Sequence, residues 1–405
     1  MTLGADCDIS RTMIVQRLYR FGVVSLVVAL LGAGAPGVSG APVVVDAIVP
    51  STGGGAFLAT AYINAFRAAE VLVNQTGGIH GRPLKIETAD SQSSGQVGLQ
   101  LVNGLVAKHD ALFIDGGPST VCNASVPLVD KSGPVDYCLS PLVKTTPFGY
   151  VFSASTGASD IINVGVRNFR LRGWKRLAML TSTDASGSDY DAKTMLTLAL
   201  PENKDVQLVA REHFGPADVS VSAQIARIVA AKPDAILLWT TGTPVATGLR
   251  ALNDAGVDLP VQIPSSNLIY AQLAAYEKFL PKRLFFPTLL ALTPEGTPAG
   301  PVRDAQLAYV KALKAVGVRP DFATDLAWDP TIMLVDALRK LGPDASAAAI
   351  HDYLIHLHGW VGVNGVYDMS DGGQRGIGEN AEEMAQWDAA KHTWVRASRA
   401  HGYLL

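Results

Sequence analysis

Hydroxyl side chains follow two neighbouring predicted strands, at the point where each strand ends. Ser119 and Thr120 come shortly after the apolar run 112–115. Ser140 comes directly after the next such run, residues 135–139. Because parallel strands bring their carboxyl ends to one edge of a sheet, we expect these hydroxyls in one crevice. At the start of a helix, hydroxyls and backbone N–H groups bind a carboxylate, although the same hydroxyls also serve as ordinary helix N-caps.

A glycine-rich turn lies earlier in the chain, between a predicted strand and an amphipathic helix. It begins at Ser51 and contains three consecutive glycines from Gly53 onward. The turn lacks both the Gly-Lys-Ser/Thr ending of a phosphate-binding P-loop and the glycine spacing of a dinucleotide site. We interpret it as the lip of a small-ligand pocket, with Ser51 and Gly53 as contacts. A turn with a purely structural role is the alternative.

Further candidates lie at two strand ends in the second half of the chain. Ser186 and Tyr190 follow one predicted strand, and Trp239 and Thr241 stand at the end of another. An aromatic ring at the carboxyl end of a strand is well placed to stack on a ligand. The same rings fit a buried core equally well, and the sequence does not decide between these two roles.

Motifs for catalysis or metal binding are missing from the sequence. There is no Gly-x-Ser-x-Gly elbow, no His-Glu-x-x-His and no zinc-type cysteine pair. His351, His356 and His358 are spaced so that they do not share one helical face. A scattered Ser-His-Asp triad is compatible with almost any sequence, but nothing here favours one. We therefore predict a protein that is not an enzyme and that uses no metal and no cofactor.

The N-terminal region, residues 1–40, predicts a secretory signal peptide. Three arginines precede the apolar run 21–31, and small residues follow it. A membrane anchor is the alternative, although the run is short for a bilayer span. No cysteine follows the run, so we do not expect a lipoprotein. The expected location is the periplasm.

Composition indicates a globular protein with large cores. Hydrophobic residues make up 48% of the 405 residues, enough for two domains. Charged residues make up only 17%, and the net charge is −3. Because a nucleic-acid-binding surface needs clustered basic residues, we predict no nucleic-acid partner.

Two cysteines remain once the signal is removed together with Cys7. Cys122 and Cys138 form an even pair in an oxidising compartment. They lie on adjacent predicted elements, which usually pack together. We predict a Cys122–Cys138 disulfide, with two buried thiols as the alternative.

Strand and helix patterns alternate through most of the chain after residue 41. Such alternation predicts parallel sheets wrapped by helices on both faces. The elements fall into two groups, which suggests two sheets, and three later helices fit a return to the first group. A glycine-rich stretch, residues 371–378, and two closing strands separated by a turn complete the pattern.

Residues 64–90 resemble the opening signature of the type I periplasmic solute-binding proteins, in particular the Leu/Ile/Val-binding family of ABC transporter receptors. The likeness continues, segment by segment and in the same order, through residues 42–405. The signature is carried by Asn64, Asn74-Gln75-Thr76-Gly77-Gly78-Ile79-His80-Gly81 and Asp90.

This resemblance implies an α/β fold with two Rossmann-like lobes, each built on a doubly wound parallel sheet. It implies a solute-binding receptor that closes on its ligand by a hinge and delivers it to an ABC permease in the inner membrane. A sensor or regulatory ligand-binding subunit and an exported enzyme on the same fold are the alternatives. The hinge crossovers are expected at residues 153–156, 286–289 and 367–370, with residues 41–155 and 289–367 in the first lobe and residues 156–288 and 368–405 in the second.

The resemblance also assigns ligand contacts. Ser119 matches the family serine that binds the ligand carboxylate, and the residues after the Ser-Pro equivalent point to Leu142, Lys144 and Thr145. In the second lobe it points to Ser186, to the region around Trp239 and Thr241, and to a loop that includes Ser266.

Two departures from the family pattern bear on the solute. Residues 263–269 contain no acid where the family places a partner for the ligand amine, and Lys144 replaces a neutral residue. An ammonium in a dry cleft needs a charged partner. We therefore favour an organic acid without an amino group, aromatic acids included, over a hydrophobic amino acid.

Overall fold

Strands and helices alternate along the chain and build two separate, mainly parallel sheets with helices packed against them. The computed structural model describes residues 38–405, so the predicted secretory signal lies almost entirely outside the described part. The described residues fold as one compact unit that contains eleven α-helices. The predicted α/β class with two Rossmann-like lobes is confirmed.

The first sheet has five strands, all parallel, in the order β2-β1-β3-β4-β5. Its strands are β1 (Val43–Val49), β2 (Leu84–Asp90), β3 (Leu112–Asp115), β4 (Val135–Cys138) and β5 (Val151–Ser153). The three central strands are mostly apolar and mostly buried, because helices cover both faces of the sheet, and each contains a single aspartate.

Six helices belong to this first lobe. They are α1 (Ala56–Gln75), α2 (Gly95–Lys108), α3 (Ser119–Val129), α9 (Pro301–Ala315), α10 (Phe322–Leu341) and α11 (Ala347–Ile355). Among the described helices, α1 alone is long and apolar enough to cross a membrane, but half of that stretch is buried inside the protein, where α1 packs on α10. Its composition is therefore that of a core helix.

Helix α10 connects the middle of the molecule to the turn that carries the family signature. At its first residue, the Phe322 N–H donates to the carbonyl of Leu268, 3.1 Å away. Near its other end, Arg339 Nε donates to the carbonyl of Gly78 at 2.9 Å, and a second guanidinium nitrogen donates to Thr76 Oγ1 at 3.1 Å. The ring nitrogen Nε2 of His80 lies 2.7 Å from the Arg339 carbonyl.

The second sheet has seven strands in the order β14-β13-β10-β9-β8-β6-β7. Its strands are β6 (Arg176–Ser182), β7 (Gln207–Phe214), β8 (Ala235–Trp239), β9 (Val261–Gln262), β10 (Leu284–Leu289), β13 (Glu382–Asp388) and β14 (Thr393–Arg396). Strands β13 and β14 run antiparallel to their neighbours, which makes this sheet mixed. The helices of this lobe are α4 (Ala158–Leu171), α5 (Ala185–Leu198), α6 (Ser222–Ala230), α7 (Thr243–Asp254) and α8 (Tyr270–Tyr276).

The chain passes between the two lobes three times. It leaves the first sheet after β5, returns after β10 to the helices α9, α10 and α11 of the first lobe, and re-enters the second sheet at β13. Before the last passage it forms a small antiparallel pair, β11 (His358–Val361) and β12 (Val366–Asp368). The division into lobes at the residues given above remains a prediction.

Helix α2 was not expected from the sequence, because its three glycines lower helix propensity. The structure gives a packing reason for one of them. A Cβ on Gly98 would lie 2.5 Å from a methyl group of Val121, so the glycine lets α2 and α3 pack closely. The sequence pattern predicts a loop over residues 182–189 and a helix from Tyr190. Helix α5 instead begins at Ala185, because Asp184 caps it.

Candidate functional site

A cavity of about 460 Å³ lies between the two lobes, at the carboxyl ends of the parallel strands. Its volume is in the range that suits a small molecule. Hydroxyl side chains from both lobes line it: Ser93, Ser119, Thr120, Ser140, Ser186, Thr241, Thr243 and Ser266. Between them lie apolar and aromatic side chains: Phe57, Leu58, Tyr62, Leu139, Leu142, Tyr190 and Phe322.

Four helices begin at this cavity. The residues that precede or open α1, α3, α5 and α7 all contribute to its wall. The first N–H groups of a helix have no intrahelical partner, and the helix dipole places partial positive charge at the same end. The cavity therefore presents N–H donors and a positive potential from both lobes.

The turn before α3 is shaped to expose its first N–H groups. Gly117 must be glycine, since a Cβ there would lie 2.4 Å from Cβ of Val121. The Gly117 N–H donates to Asp115 Oδ1 at 2.8 Å. Burial raises the pKa of Asp115 to about 7, against the opposing effect of that hydrogen bond.

The two lobes meet at a pair of hydroxyls. Ser119 Oγ on α3 lies 3.4 Å from Ser186 Oγ on α5. This distance is long for a hydrogen bond between hydroxyls, so neither group is strongly satisfied by the other. A carboxylate at this point would meet two hydroxyls and the first turns of two helices.

Ser140 and Leu142 form the next part of the wall, after β4. The Leu142 N–H donates to Ser140 Oγ at 3.3 Å, which closes a tight turn. Directly before this turn, Cys138 is bonded to Cys122 of α3, with sulfurs 2.02 Å apart. The disulfide thus joins the two elements that carry Ser119 and Ser140, and the pairing is the one predicted from the sequence.

The wall from the second lobe contains one hydroxyl that no protein group satisfies. Ser266 Oγ is buried and has no hydrogen-bond partner among the described residues. Buried polar atoms are normally hydrogen-bonded. Because Ser266 lines the cavity, a bound molecule is the natural partner for its hydroxyl.

Asp184 is the one carboxylate among the described residues of the cavity wall. Its Oδ1 accepts a hydrogen bond from the Gly187 N–H at 2.9 Å, and its Oδ2 accepts from Ser182 Oγ at 2.8 Å. Oδ1 therefore caps α5, and Oδ2 is bonded to the last residue of β6. No second acid accompanies Asp184 in this wall, so the described lining does not provide a pair of carboxylates for acid–base catalysis.

Aromatic side chains close the cavity on several sides. Tyr190 is buried and stacks on Trp239, with ring centroids 5.0 Å apart and an interplanar angle of 11°. Burial raises the pKa values of Tyr62 and Tyr190, so both phenols stay neutral. The rings supply flat apolar surface rather than charge.

A sequence model of the family described as "Periplasmic binding protein" matches residues 42–392. The chain belongs to the periplasmic binding protein family. This confirms the resemblance to the type I, Leu/Ile/Val-binding-like receptors, and membership implies an extracytoplasmic location. No curated protein matches the chain by sequence at a significant level.

Solved structures show the same fold at low sequence identity. An extracellular ligand-binding receptor from Rhodopseudomonas palustris HaA2 is 18% identical with a TM-score of 0.74, over 88% of this chain and 99% of that one. A type 1 periplasmic binding protein from Bordetella pertussis Tohama I is 20% identical with a TM-score of 0.73, over 85% and 96%. An ABC transporter solute-binding protein from R. palustris, solved in complex with benzoate, is 15% identical with a TM-score of 0.72, over 90% and 97%.

Eight of the predicted contacts line the cavity of this periplasmic binding protein. They are Ser119, Thr120, Ser140, Leu142, Ser186, Tyr190, Thr241 and Ser266. They come from both lobes, and the family resemblance and the strand-end rule together brought them into one list.

Five predicted contacts lie outside the cavity lining, and for them the contact with a solute stays a prediction. The Lys144 side chain is exposed, and the backbone N–H of this residue donates to Asn123 Oδ1 at 2.8 Å. Thr145 Oγ1 donates to the carbonyl of Gly373 at 3.3 Å. Trp239 is fully buried behind Tyr190, so it belongs to the core.

The other two predicted contacts outside the cavity lining, Ser51 and Gly53, belong to the glycine-rich turn. Ser51 is exposed at its start, and Gly53 serves packing, since a Cβ there would lie 2.5 Å from the carbonyl oxygen of Gln92. The next glycines, Gly54 and Gly55, form the lip of the cavity instead. The turn thus lies at the cavity as predicted, but the residues that line the cavity begin at Gly54 and not at Gly53.

Sequence reasoning missed several lining residues. Phe57, Leu58 and Tyr62 belong to the apolar face of α1, whose spacing predicts an amphipathic helix but not a contact with a solute. Asp184 lay in a predicted loop. Phe322 comes from a distant helix of the first lobe, and no local pattern connects it to the cavity.

The histidines that resembled a metal cluster do not converge. His351 stacks on Tyr150, with ring centroids 4.0 Å apart, and His358 Nδ1 lies 2.8 Å from Asp368 Oδ2. Within residues 38–405, no group of three or more potential ligands is placed to hold a metal ion.

Proposed function

We propose that this periplasmic binding protein is the solute receptor of an ABC importer and captures a small carboxylic acid in the interlobe cavity. The observation that carries the proposal is the meeting of four helix N-termini with free hydroxyl capacity inside a largely apolar cavity. Helix N-termini stabilise anions, and they do so more strongly in partly buried positions.

The carboxylate end of the solute is assigned to the Ser119–Ser186 contact. The first N–H groups of α3 and the two weakly paired hydroxyls supply donors there. Lys144 is exposed and outside the cavity lining, so we assign the positive potential to the helix ends and not to a side-chain cation. Such a site selects a singly charged anion.

The rest of the solute is assigned to the aromatic and aliphatic walls. Phe57, Tyr62, Tyr190 and Phe322 offer surfaces that suit a planar apolar body. A structural neighbour has been solved with benzoate, which is a molecule of this type. Aromatic monocarboxylates are therefore the leading solute class.

An amino group finds little support in the cavity. The single carboxylate of the described wall, Asp184, already accepts a hydrogen bond on each oxygen. An ammonium would have to compete with the α5 cap for that charge. We therefore place amine-free acids ahead of hydrophobic amino acids.

Isothermal titration calorimetry with benzoate, phenylacetate, leucine, phenylalanine and the uncharged benzamide tests the proposal. We expect binding of at least one aromatic acid and much weaker binding of benzamide. Binding restricted to leucine and phenylalanine would overturn the solute class. Binding of none of the acids, while another class of small molecule binds, would overturn the carboxylate assignment.

Two variants locate the site. Thr241→Phe places a ring into the cavity and is expected to abolish binding. Thr60→Phe, at an exposed position on α1, is the matched control and should bind normally. The importer role is tested separately, by uptake of the bound acid into cells with and without the protein.

A further inference from the structure

The glycine-rich segment 371–376, which we call the strap, lies across the region where the chain first passes between the lobes. It follows β12 and precedes β13, and its last residue, Gly376, accepts a hydrogen bond from the Asp368 N–H at 2.9 Å. Its two long side chains, Gln374 and Arg375, both point back onto the first lobe. Nothing in the solute site itself requires this segment.

Gln374 attaches the strap to the edge of the first sheet. Its carbonyl accepts the N–H of Ser153, the last residue of β5, at 2.8 Å. Its buried side chain donates to the carbonyl of Gly149 at 2.6 Å and accepts from the Phe148 N–H at 3.2 Å. The strap is therefore held in one position on the first lobe.

Arg375 then bonds two separate segments with one guanidinium. One nitrogen donates to Ser153 Oγ at 2.6 Å and to the carbonyls of Ser155 at 2.9 Å and Thr156 at 3.3 Å. The other nitrogen donates to the carbonyl of Val143 at 3.0 Å. The first three acceptors lie in the predicted hinge, and the fourth lies directly after the cavity residue Leu142.

A second connection joins the same two segments. Ser153 Oγ, which accepts from Arg375, lies 3.2 Å from the carbonyl of Ser140. Ser140 lines the cavity. The hinge passage and the cavity wall are thus tied together at two points, and Arg375 takes part in both.

The guanidinium has no carboxylate within bonding distance among the described residues. Its acceptors are carbonyls and a hydroxyl, and the planar group spans them because its donors are fixed in a fork. A lysine ammonium at this position is a single point of charge and cannot hold both segments at once.

We propose that Arg375 is a positioning residue that links the cavity wall at residues 140–143 to the hinge at residues 153–156. Contact of a solute with the wall is thereby coupled to closure of the lobes. This inference rests on the proposed function for its affinity prediction, but the mechanical link does not depend on which solute binds.

Arg375→Met tests the link, with benzoate as the probe. We expect benzoate affinity to fall about tenfold, a usual size for coupling between two sites. We also expect a smaller decrease in radius of gyration on benzoate addition, measured by small-angle X-ray scattering. Arg375→Lys should recover little of either property, because the ammonium cannot bridge both segments.

Arg172→Met is the matched control. Arg172 is also half-buried, and it donates to the carbonyl of Ala397 at 2.6 Å and to Asn168 Oδ1 at 2.8 Å, away from cavity and hinge. Its loss should lower the unfolding temperature and leave benzoate affinity unchanged. Equal affinity losses in the two variants would reduce Arg375 to a general stabilising role and overturn the proposal.

A measurement without solute separates this proposal from the proposed function. In the solute-free protein, Arg375→Met should accelerate amide hydrogen exchange in residues 140–143 and 153–156 together. Faster exchange in only one of the two segments, or in neither, contradicts the link. If the wild-type protein binds no carboxylic acid, the proposed function fails while the exchange result still decides whether the two segments are linked.

Discussion

Removal of one hydroxyl gives the most direct test of the carboxylate site. Ser119 is only 7% exposed, and its Oγ has a single long contact, 3.4 Å to Ser186 Oγ. The hydroxyl is therefore shielded from water, and it has no strong hydrogen-bond acceptor within the described protein. Ser119→Ala removes that donor and leaves the first N–H groups of α3 in place.

The size of the effect follows from the kind of bond that is lost. A hydrogen bond to a charged group contributes about 1.5–3 kcal/mol. With about 1.4 kcal/mol for each factor of ten, the dissociation constant for benzoate should rise by about ten- to a hundredfold. We expect the lower end of this range, because backbone donors and Thr120 remain available to the carboxylate.

Calorimetric titration of benzoate into wild type and Ser119→Ala measures this change. Ser346→Ala is the matched control, since Ser346 Oγ accepts the Ala349 N–H at 3.3 Å as the cap of α11, far from the cavity lining. The control should lose about 1 kcal/mol of folding free energy, as is usual for a lost N-cap. Its affinity for benzoate should not change.

Weaker binding by Ser119→Ala could also result from loss of the Ser119–Ser186 contact between the lobes. A second ligand distinguishes this explanation from loss of a bond to the carboxylate. If Ser119→Ala acts through its partner Ser186, any ligand that closes the lobes should lose affinity equally. If it acts on the carboxylate, a ligand carrying an amide in place of the acid should lose much less. A change below twofold for benzoate would refute the assignment of Ser119.

Three further results are expected. Gly117→Ala should weaken benzoate binding, measured by calorimetry, because the new Cβ would collide with Val121. Gly104→Ala is the contrasting variant, since its Cβ in the middle of α2 would meet open space. It should raise the unfolding free energy, measured by chemical denaturation, by about 1 kcal/mol. Burial raises the pKa of Glu382 to about 8, so its stabilising contribution is complete below the unfolded value near 4.5 and is lost as the pH rises through about 8. Stability should then fall by up to about 1.4 kcal/mol per pH unit across that window, and Glu382→Gln should flatten the decline measured by denaturation at pH 5 and pH 8. Replacing Cys122 and Cys138 by alanine opens a loop of 16 residues and should cost about 3 kcal/mol of unfolding free energy, and an unchanged unfolding midpoint would count against a formed disulfide.

Local patterns in the sequence were enough for most of the fold. The buried strand β3 was delimited correctly, because an apolar run between turn residues has few alternatives. Helix α2 was missed because its glycines conceal its period, and their purpose becomes visible only when α3 is packed against them. The start of α5 was placed too late because an N-cap aspartate looks like a loop residue until the helix is seen.

The candidate site was predictable where it depends on strand ends and not where it depends on tertiary packing. Ser119 and Ser140 followed from the strand-end rule. Phe322 reaches the cavity from α10, far along the chain from Ser119 and Ser140. Such a contact leaves no local pattern in a single sequence. Lys144 lies two residues after Leu142 but outside the cavity lining, since a nearby position in the chain does not fix the direction of a side chain.

Helix α10 has a consequence for what holds the cavity wall in place. Its 20 residues span about 30 Å, with Phe322 at the cavity and Arg339 bonded to the Gly78 turn at the far end. The turn at residues 77–81 therefore lies far from the cavity, yet it helps to fix the position of one cavity residue by anchoring the helix that carries it.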